Sequence, residues 1–199
     1  KIADYIIVPS NYSRASFLKR GFDPAKVVLI PLCNEKKIFL REGVKHYPDQ
    51  FTVLCVGGNF YRKGIIYLLR AWCLLGLSDA KLIIKGEIPN EFNYLVATPG
   101  VEIISRYLSE EELSGLYNDA TLLVLPSIDD GFGMVVVEAM SVGLPVIITE
   151  NVGAADIIKN GEEGFVVPIR DIDALAEKIS FFYKNSDKVK EMGKKSIET

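Results

Sequence analysis

Short apolar runs recur along the chain between segments whose apolar residues repeat at helical spacing. The runs do not alternate hydrophobic and polar residues, which predicts strands covered on both faces, as in a parallel sheet between helices. We expect eight strands, at residues 5–8, 27–30, 52–56, 82–84, 101–104, 122–125, 146–148 and 165–167. Strands that alternate with helices predict a doubly wound α/β fold.

Three segments carry helix signals of their own. Apolar residues at helical spacing follow Lys63-Gly64 through Trp72. Ser109 stands three residues before Glu112, a pattern typical of a capping box. Asp171 is a candidate cap for a third helix.

The chain divides into two predicted parts. Residues 1–45 hold a strand, a helix and a strand, and residues 46–199 hold the other six strands. The polar stretch 41–50, which contains Pro48, suits a linker. Because both ends fall within patterned sequence, we expect a fragment of a longer protein.

Composition narrows the function classes. About half of the 199 residues are hydrophobic and a quarter are charged, which is typical of a soluble globular domain. The net charge of -3, with no basic block, argues against nucleic-acid binding. The three cysteines (Cys33, Cys55, Cys73) and His46 lack metal-ligand spacing, so we expect no metal site. No apolar stretch is long enough to span a bilayer.

The most informative stretch follows the strand at 122–125. A loop with Gly131 and Gly133 leads into a helix that is apolar on every side. Glycines allow the backbone to approach a ligand closely, and free amides at a helix start attract phosphate. The segment Gly131-Phe132-Gly133-Met134 is therefore a candidate phosphate site.

Two carboxylates flank that segment. Glu138 lies between Val137 and Ala139, where a carboxylate is costly unless it is paired or binds a ligand. The alternative for Glu138 is a buried residue satisfied by a backbone amide or a lysine. The alternative for Asp130 is a helix cap.

A second glycine turn follows the strand at 52–56. It places Arg62 and Lys63 at a helix start, where positive charge opposes the helix dipole. A bound diphosphate would explain both cations, with lysine as a point charge and arginine as a fork. The alternative is two solvated cations on a loop.

Residues 130–147 resemble the retaining GT-B glycosyltransferases of family four, also called group 1. The similar features are two acidic residues with seven between them, the first before Gly-Phe-Gly and the second before Ala-Met, followed by Gly-Leu-Pro-Val-Ile. The resemblance implies that Glu138 binds the ribose hydroxyls of the donor. It places Asp130 near the donor sugar, where the family usually has the longer Glu.

The turn at 57–64 also resembles the family. The resemblance gives Lys63 a role in diphosphate binding and places Gly58 and Asn59 beside the donor. Asn59 stands where many members have Arg, and Arg62 is a candidate substitute.

Weaker matches extend the resemblance to both ends. Tyr107 and Leu108 follow a strand where relatives hold the nucleobase through backbone groups. Residues 151–158 and 160–167 resemble two further turns of the family. Residues 3–10 and 28–32 resemble the end of the family's first domain, with Cys33 where Gly is common.

The resemblance implies a donor-binding, Rossmann-like C-terminal domain, without a metal or other cofactor. Its partners would be a nucleotide-sugar donor, the missing first domain and a glycan or lipid acceptor. A cytoplasmic location follows, with peripheral membrane contact through the missing domain. We expect the isolated chain to bind donor and to transfer little. The alternatives are an epimerase, a phosphorylase, and a non-catalytic module that binds nucleotide or a protein partner.

Overall fold

A computed structural model describes residues 3–32 and 47–199. Cys33, His46 and the predicted boundary between residues 45 and 46 lie outside the described residues, so that boundary stays a prediction. The described part contains a two-stranded sheet and a six-stranded sheet.

The smaller sheet pairs β1 (Ile6–Val8) with β2 (Val27–Leu29) in parallel. Helix α1 (Asn11–Leu18) connects them, and Ser10 caps it by accepting a hydrogen bond from the amide of Ser13. The prediction that these strands are covered on both faces is wrong. Ile7 is 67% exposed, because a two-stranded sheet covered by one short helix leaves its other face uncovered.

The larger sheet confirms the predicted six-stranded parallel architecture. Its strands are β3 (Thr52–Val56), β4 (Lys81–Lys85), β5 (Val101–Ile104), β6 (Leu122–Leu125), β7 (Val146–Thr149) and β8 (Gly164–Val167). They lie in the order β5-β4-β3-β6-β7-β8, and every neighbouring pair is parallel. Each predicted strand end lies within one residue of the observed one. The edge strand β5 is partly exposed, because only one of its sides has a neighbour.

Helices cover both faces of this sheet, as a doubly wound fold requires. They are α2 (Ile65–Leu75), α3 (Asn93–Val96), α4 (Glu110–Asn118), α5 (Met134–Ser141), α6 (Ile172–Lys184) and α7 (Ser186–Glu198). The capping box of Ser109 and Glu112 and the cap at Asp171 are both confirmed.

Two apolar cores lie on opposite faces of the sheet, because successive strand residues point to opposite sides. One core joins α2 and α6 to alternate strand residues such as Val53 and Cys55. The other joins α4 and α5 to the intervening residues, Leu54 among them. The two cores together cover both faces of strands β3 and β6, which are buried along most of their length.

Gly64 controls how α2 approaches the end of β6. It is the N-cap of α2 with a left-handed φ of 64°, and a β-carbon there would overlap the carbonyl oxygen of Pro126. Only glycine meets both demands. The start of α2 therefore lies directly against the loop that leaves β6.

We predict that Gly64→Ala destabilises the chain by about 3 kcal/mol, from the left-handed φ together with the overlap on a backbone atom. The control is Gly76→Ala at the other end of α2. Gly76 has a similar φ of 58° with nothing near its missing β-carbon, so its loss should be only about 1 kcal/mol. Urea unfolding measures both, and equal losses would contradict the steric role of Gly64.

Candidate functional site

The order of the large sheet reverses direction between β3 and β6, and ligands of doubly wound sheets bind at the strand carboxyl ends beside such a point. The loops after these two strands, residues 57–64 and 126–133, are joined there. The amide of Ile128 donates to the carbonyl of Arg62 at 2.8 Å, and Nη1 of Arg62 donates to the carbonyl of Asp129 at 3.0 Å. The two loops therefore form one unit.

An ion pair between Lys63 and Asp130 completes this junction. Each side chain is only 12% exposed, so the alternative of a solvated lysine is wrong for Lys63. The helix-cap alternative for Asp130 is also not observed, because Gly133 is the N-cap of α5 and the Asp130 carboxylate bonds to Lys63. The structure thus brings together two predicted site residues from distant parts of the chain.

The backbone of the segment 130–134 is held from the side by residues 151–154. The carbonyl of Phe132 accepts from the amide of Ala154 at 2.7 Å. Gly133 has a φ of 85°, and a β-carbon there would lie 2.8 Å from Val152. The turn therefore needs glycine, and it sets the start of α5 at Met134. The first amides of a helix lack acceptors within the helix and carry its positive pole.

Glu138 lies one turn into α5 and is half-buried. Its Oε2 accepts a hydrogen bond from the hydroxyl of Tyr117 at 2.6 Å. Within residues 3–32 and 47–199, no basic side chain forms an ion pair with Glu138. Burial first, and then the Glu138 charge, raise the pKa of Tyr117 well above its usual value, so the phenol stays a donor. Sequence reasoning missed Tyr117, although a tyrosine in a buried helix turn needs a polar partner.

The remaining predicted site residues lie on loops at the same edge of the sheet. Gly58 and Asn59 are exposed, and Oδ1 of Asn59 accepts from the amide of Arg62 at 2.9 Å. Tyr107, after β5, is 87% exposed, whereas Leu108 is buried. The ligand roles of these residues stay predictions.

The segment 10–13 contacts the loop that opens α5, which the sequence did not reveal. The hydroxyls of Ser10 and Ser13 both donate to the carbonyl of Gly131, at 2.6 and 2.8 Å. The Tyr12 hydroxyl donates to Asp129 at 2.8 Å. Partial burial and this carboxylate raise the pKa of Tyr12 to about 12. The first part of the chain thus touches the candidate site.

Comparison with known proteins gives the family. The chain matches Glycosyl transferases group 1 over residues 36–199, well over half of its length. It belongs to this family. The predicted resemblance to group 1 glycosyltransferases is confirmed at the level of the family and its fold.

Relatives carry glycosyltransferase names. The chain is 32% identical over 153 residues to an uncharacterized glycosyltransferase of Methanocaldococcus jannaschii, covering 74% of this chain and 39% of that protein. It is 33% identical over 140 residues to the capsular polysaccharide biosynthesis glycosyltransferase CapM of Staphylococcus aureus, covering 66% of this chain and 36% of that protein. The aligned residues therefore cover well under half the length of these relatives.

Solved structures confirm the fold. The crystal structure of Anabaena HepE in complex with UDP-glucose superimposes with a TM-score of 0.84 at 17% identity, covering 100% of this chain and 59% of that one. None of the helices in the described ranges is long and apolar enough to cross a bilayer.

We predict that Asp130→Asn destabilises this glycosyltransferase chain by about 1–3 kcal/mol, because it leaves a largely buried ammonium without its counter-ion. The double variant Lys63→Met/Asp130→Asn should recover part of that loss, since no uncompensated charge remains. Urea unfolding of the unaltered chain, Lys63→Met, Asp130→Asn and the double variant gives the coupling energy between the two side chains.

The matched control is Glu102→Gln, which breaks the exposed ion pair with Lys81. It should change stability by less than about 1 kcal/mol. Strictly additive losses at Lys63 and Asp130 would show that the pair is not coupled and would contradict this reading.

Proposed function

We propose that this chain is the donor-binding half of a retaining glycosyltransferase, which transfers a sugar from a nucleoside-diphosphate sugar to a glycan, lipid or polysaccharide precursor. One observation carries the proposal. A lysine at the start of one helix, Lys63, lies against the glycine loop that opens a second helix, α5. The complex of HepE with UDP-glucose and the capsular role in the name of CapM support the substrate class.

The diphosphate would bind where these two positive features meet. Helix-start amides offer several donors to an anion, and Lys63 adds a full charge. In this structure the ammonium of Lys63 is paired with the Asp130 carboxylate. A diphosphate carries more negative charge than one carboxylate, so it competes well for the same ammonium. Arg62 directly precedes Lys63 and is exposed on the same loop, so it could place a second cation beside the diphosphate.

The ribose would bind at Glu138. Its carboxylate has no basic partner in the described part of the chain, so no ammonium or guanidinium competes with two ribose hydroxyls for its oxygens. The exposed residues Gly58, Asn59 and Tyr107 lie at the same sheet edge, and their backbone groups suit contacts to the rest of the nucleotide.

In the transfer step, the bond between the anomeric carbon and the diphosphate oxygen breaks as the acceptor oxygen bonds to the same face of the sugar. The acceptor's proton passes to the departing phosphate oxygen, so no base from the enzyme is required. Negative charge grows on the leaving group, and fixed donors there lower the barrier. Lys63, Arg62 and the α5 amides would supply them, with Asp130 beside the sugar and without a metal.

The acceptor would bind mainly to a further domain, which relatives of about twice this length can accommodate. The isolated chain would then bind donor and transfer little. We further propose a cytoplasmic enzyme that reaches lipid-linked acceptors by peripheral membrane contact through that domain. The names of the relatives do not favour the epimerase or the non-catalytic alternative.

We predict that Glu138→Gln weakens binding of the matching nucleoside diphosphate by about tenfold, since each hydrogen bond to a charged group contributes about 1.5–3 kcal/mol. The fold should persist, because glutamine keeps an oxygen for the Tyr117 hydroxyl. UDP, GDP and ADP are first compared for binding to the unaltered chain. Calorimetry with the tightest binder, in the presence of EDTA, then gives the dissociation constants of both proteins.

Glu102→Gln, on the exposed face of β5, serves as the control and should bind as the unaltered chain does. Asp130→Asn should affect nucleotide affinity less than Glu138→Gln and should lower turnover more in the protein that includes the acceptor domain. If Glu138→Gln binds as tightly as the unaltered chain, the ribose assignment is wrong.

A further inference from the structure

Tyr117 and Glu138 form a contact between two helices that meet at the candidate site. Tyr117 lies in the last turn of α4 and Glu138 in the second turn of α5. The 2.6 Å separation of the phenol oxygen and Oε2 is in the range of charge-assisted O–H···O⁻ bonds, which are stronger than neutral ones.

The phenol is a rigid donor. Tyr117 is fully buried, in the same apolar core as Val136 and Met140 of α5. A side chain packed on all sides keeps its rotamer, so its hydroxyl stays at one place relative to the sheet. Glu138 is half-buried and, on its own, could rotate about its side-chain torsions. The tyrosine therefore fixes one oxygen of a group that would otherwise be mobile.

The chemistry of the donor matters as much as its position. A carboxylate offers about four lone-pair sites, and the phenol fills one of them. Among residues 3–32 and 47–199 no other side chain donates to this carboxylate, so Oε1 and part of Oε2 remain for further donors. A lysine or arginine at the same place would neutralise the charge and compete with incoming hydroxyls. A neutral phenol orients the carboxylate and leaves its charge available.

We propose that Tyr117 is a positioning residue for donor binding: its buried hydroxyl holds the Glu138 carboxylate in the orientation that accepts the two ribose hydroxyls. The inference rests on the proposed function, in which Glu138 binds ribose. Its consequence is selective, because Tyr117 should matter for nucleotides that carry ribose hydroxyls and not for those that lack them.

The test compares Tyr117→Phe with the unaltered chain. Phenylalanine keeps the buried ring, so packing is preserved, and circular dichroism with thermal unfolding verifies the fold. The probes are UDP, GDP or ADP, whichever binds the unaltered chain most tightly, and the 2′,3′-dideoxy form of the same diphosphate. Calorimetry of the variant and the unaltered chain with these two nucleotides gives four dissociation constants.

We expect Tyr117→Phe to weaken ribonucleotide binding by roughly threefold to tenfold, the range for one hydrogen bond to a charged group that is partly replaced by water. Binding of the dideoxy form should hardly change, so the ribose preference shrinks by the same factor. The double variant Tyr117→Phe/Glu138→Gln should be no weaker than Glu138→Gln, because both changes act through one carboxylate.

The matched control is Tyr183→Phe. Tyr183 donates its hydroxyl to Asp79 at 2.7 Å, another tyrosine–carboxylate pair, and Asp79 lies just before the amino end of β4, at the opposite edge of the sheet. It should leave the ribose preference unchanged.

The outcomes separate the two ideas. Equal weakening of both nucleotides by Tyr117→Phe would reveal a merely structural contact and overturn the inference. So would an unchanged ribose preference in Tyr117→Phe when Glu138→Gln loses it. If Glu138→Gln keeps the full preference, or if no diphosphate binds the unaltered chain, the proposed function fails and the inference fails with it.

Discussion

The ion pair between Lys63 and Asp130 is the interaction on which the candidate site depends. It joins the loops after β3 and β6, the two central strands where the sheet order reverses. Two largely buried charges lose much hydration, so each needs the other or a substitute. A diphosphate can be that substitute for Lys63. The same contact therefore holds the two loops together and lies where the proposed diphosphate would bind.

Three carboxylates at the candidate site are satisfied by two kinds of donor, an ammonium and a phenol. Asp130 bonds to a lysine, Glu138 to a buried tyrosine and Asp129 to a tyrosine in the first turn of α1. An ammonium compensates the charge of a carboxylate, whereas a neutral phenol only orients the carboxylate. This difference would allow acidic residues to lie close to the proposed phosphate site. In the proposed complex, the carboxylate nearest the phosphate groups is paired with an ammonium, and the one proposed for ribose has no basic partner among the described residues.

Much of the fold was predictable because local pattern and tertiary burial agree. Runs such as 122–125 are apolar throughout and lie at the centre of the sheet, and Ser109 and Asp171 cap the helices they were expected to cap. Lys63 and Asp130 were both identified, but not their ion pair, since their distance depends on the order of the strands. The bond from Tyr117 to Glu138 depends on how α4 packs beside α5. No local sequence signal carries that information. The contacts of Ser10 and Ser13 with Gly131 are likewise not encoded in the local sequence.

The most direct measurement of the central claim is a crystal structure of this chain with a bound nucleoside diphosphate. The account predicts that a phosphate oxygen replaces the Asp130 carboxylate on Nζ of Lys63 and that the same phosphates accept from the first amides of α5. The ribose hydroxyls should lie on the Glu138 carboxylate. A diphosphate bound elsewhere, with the Lys63–Asp130 pair intact, would contradict the account.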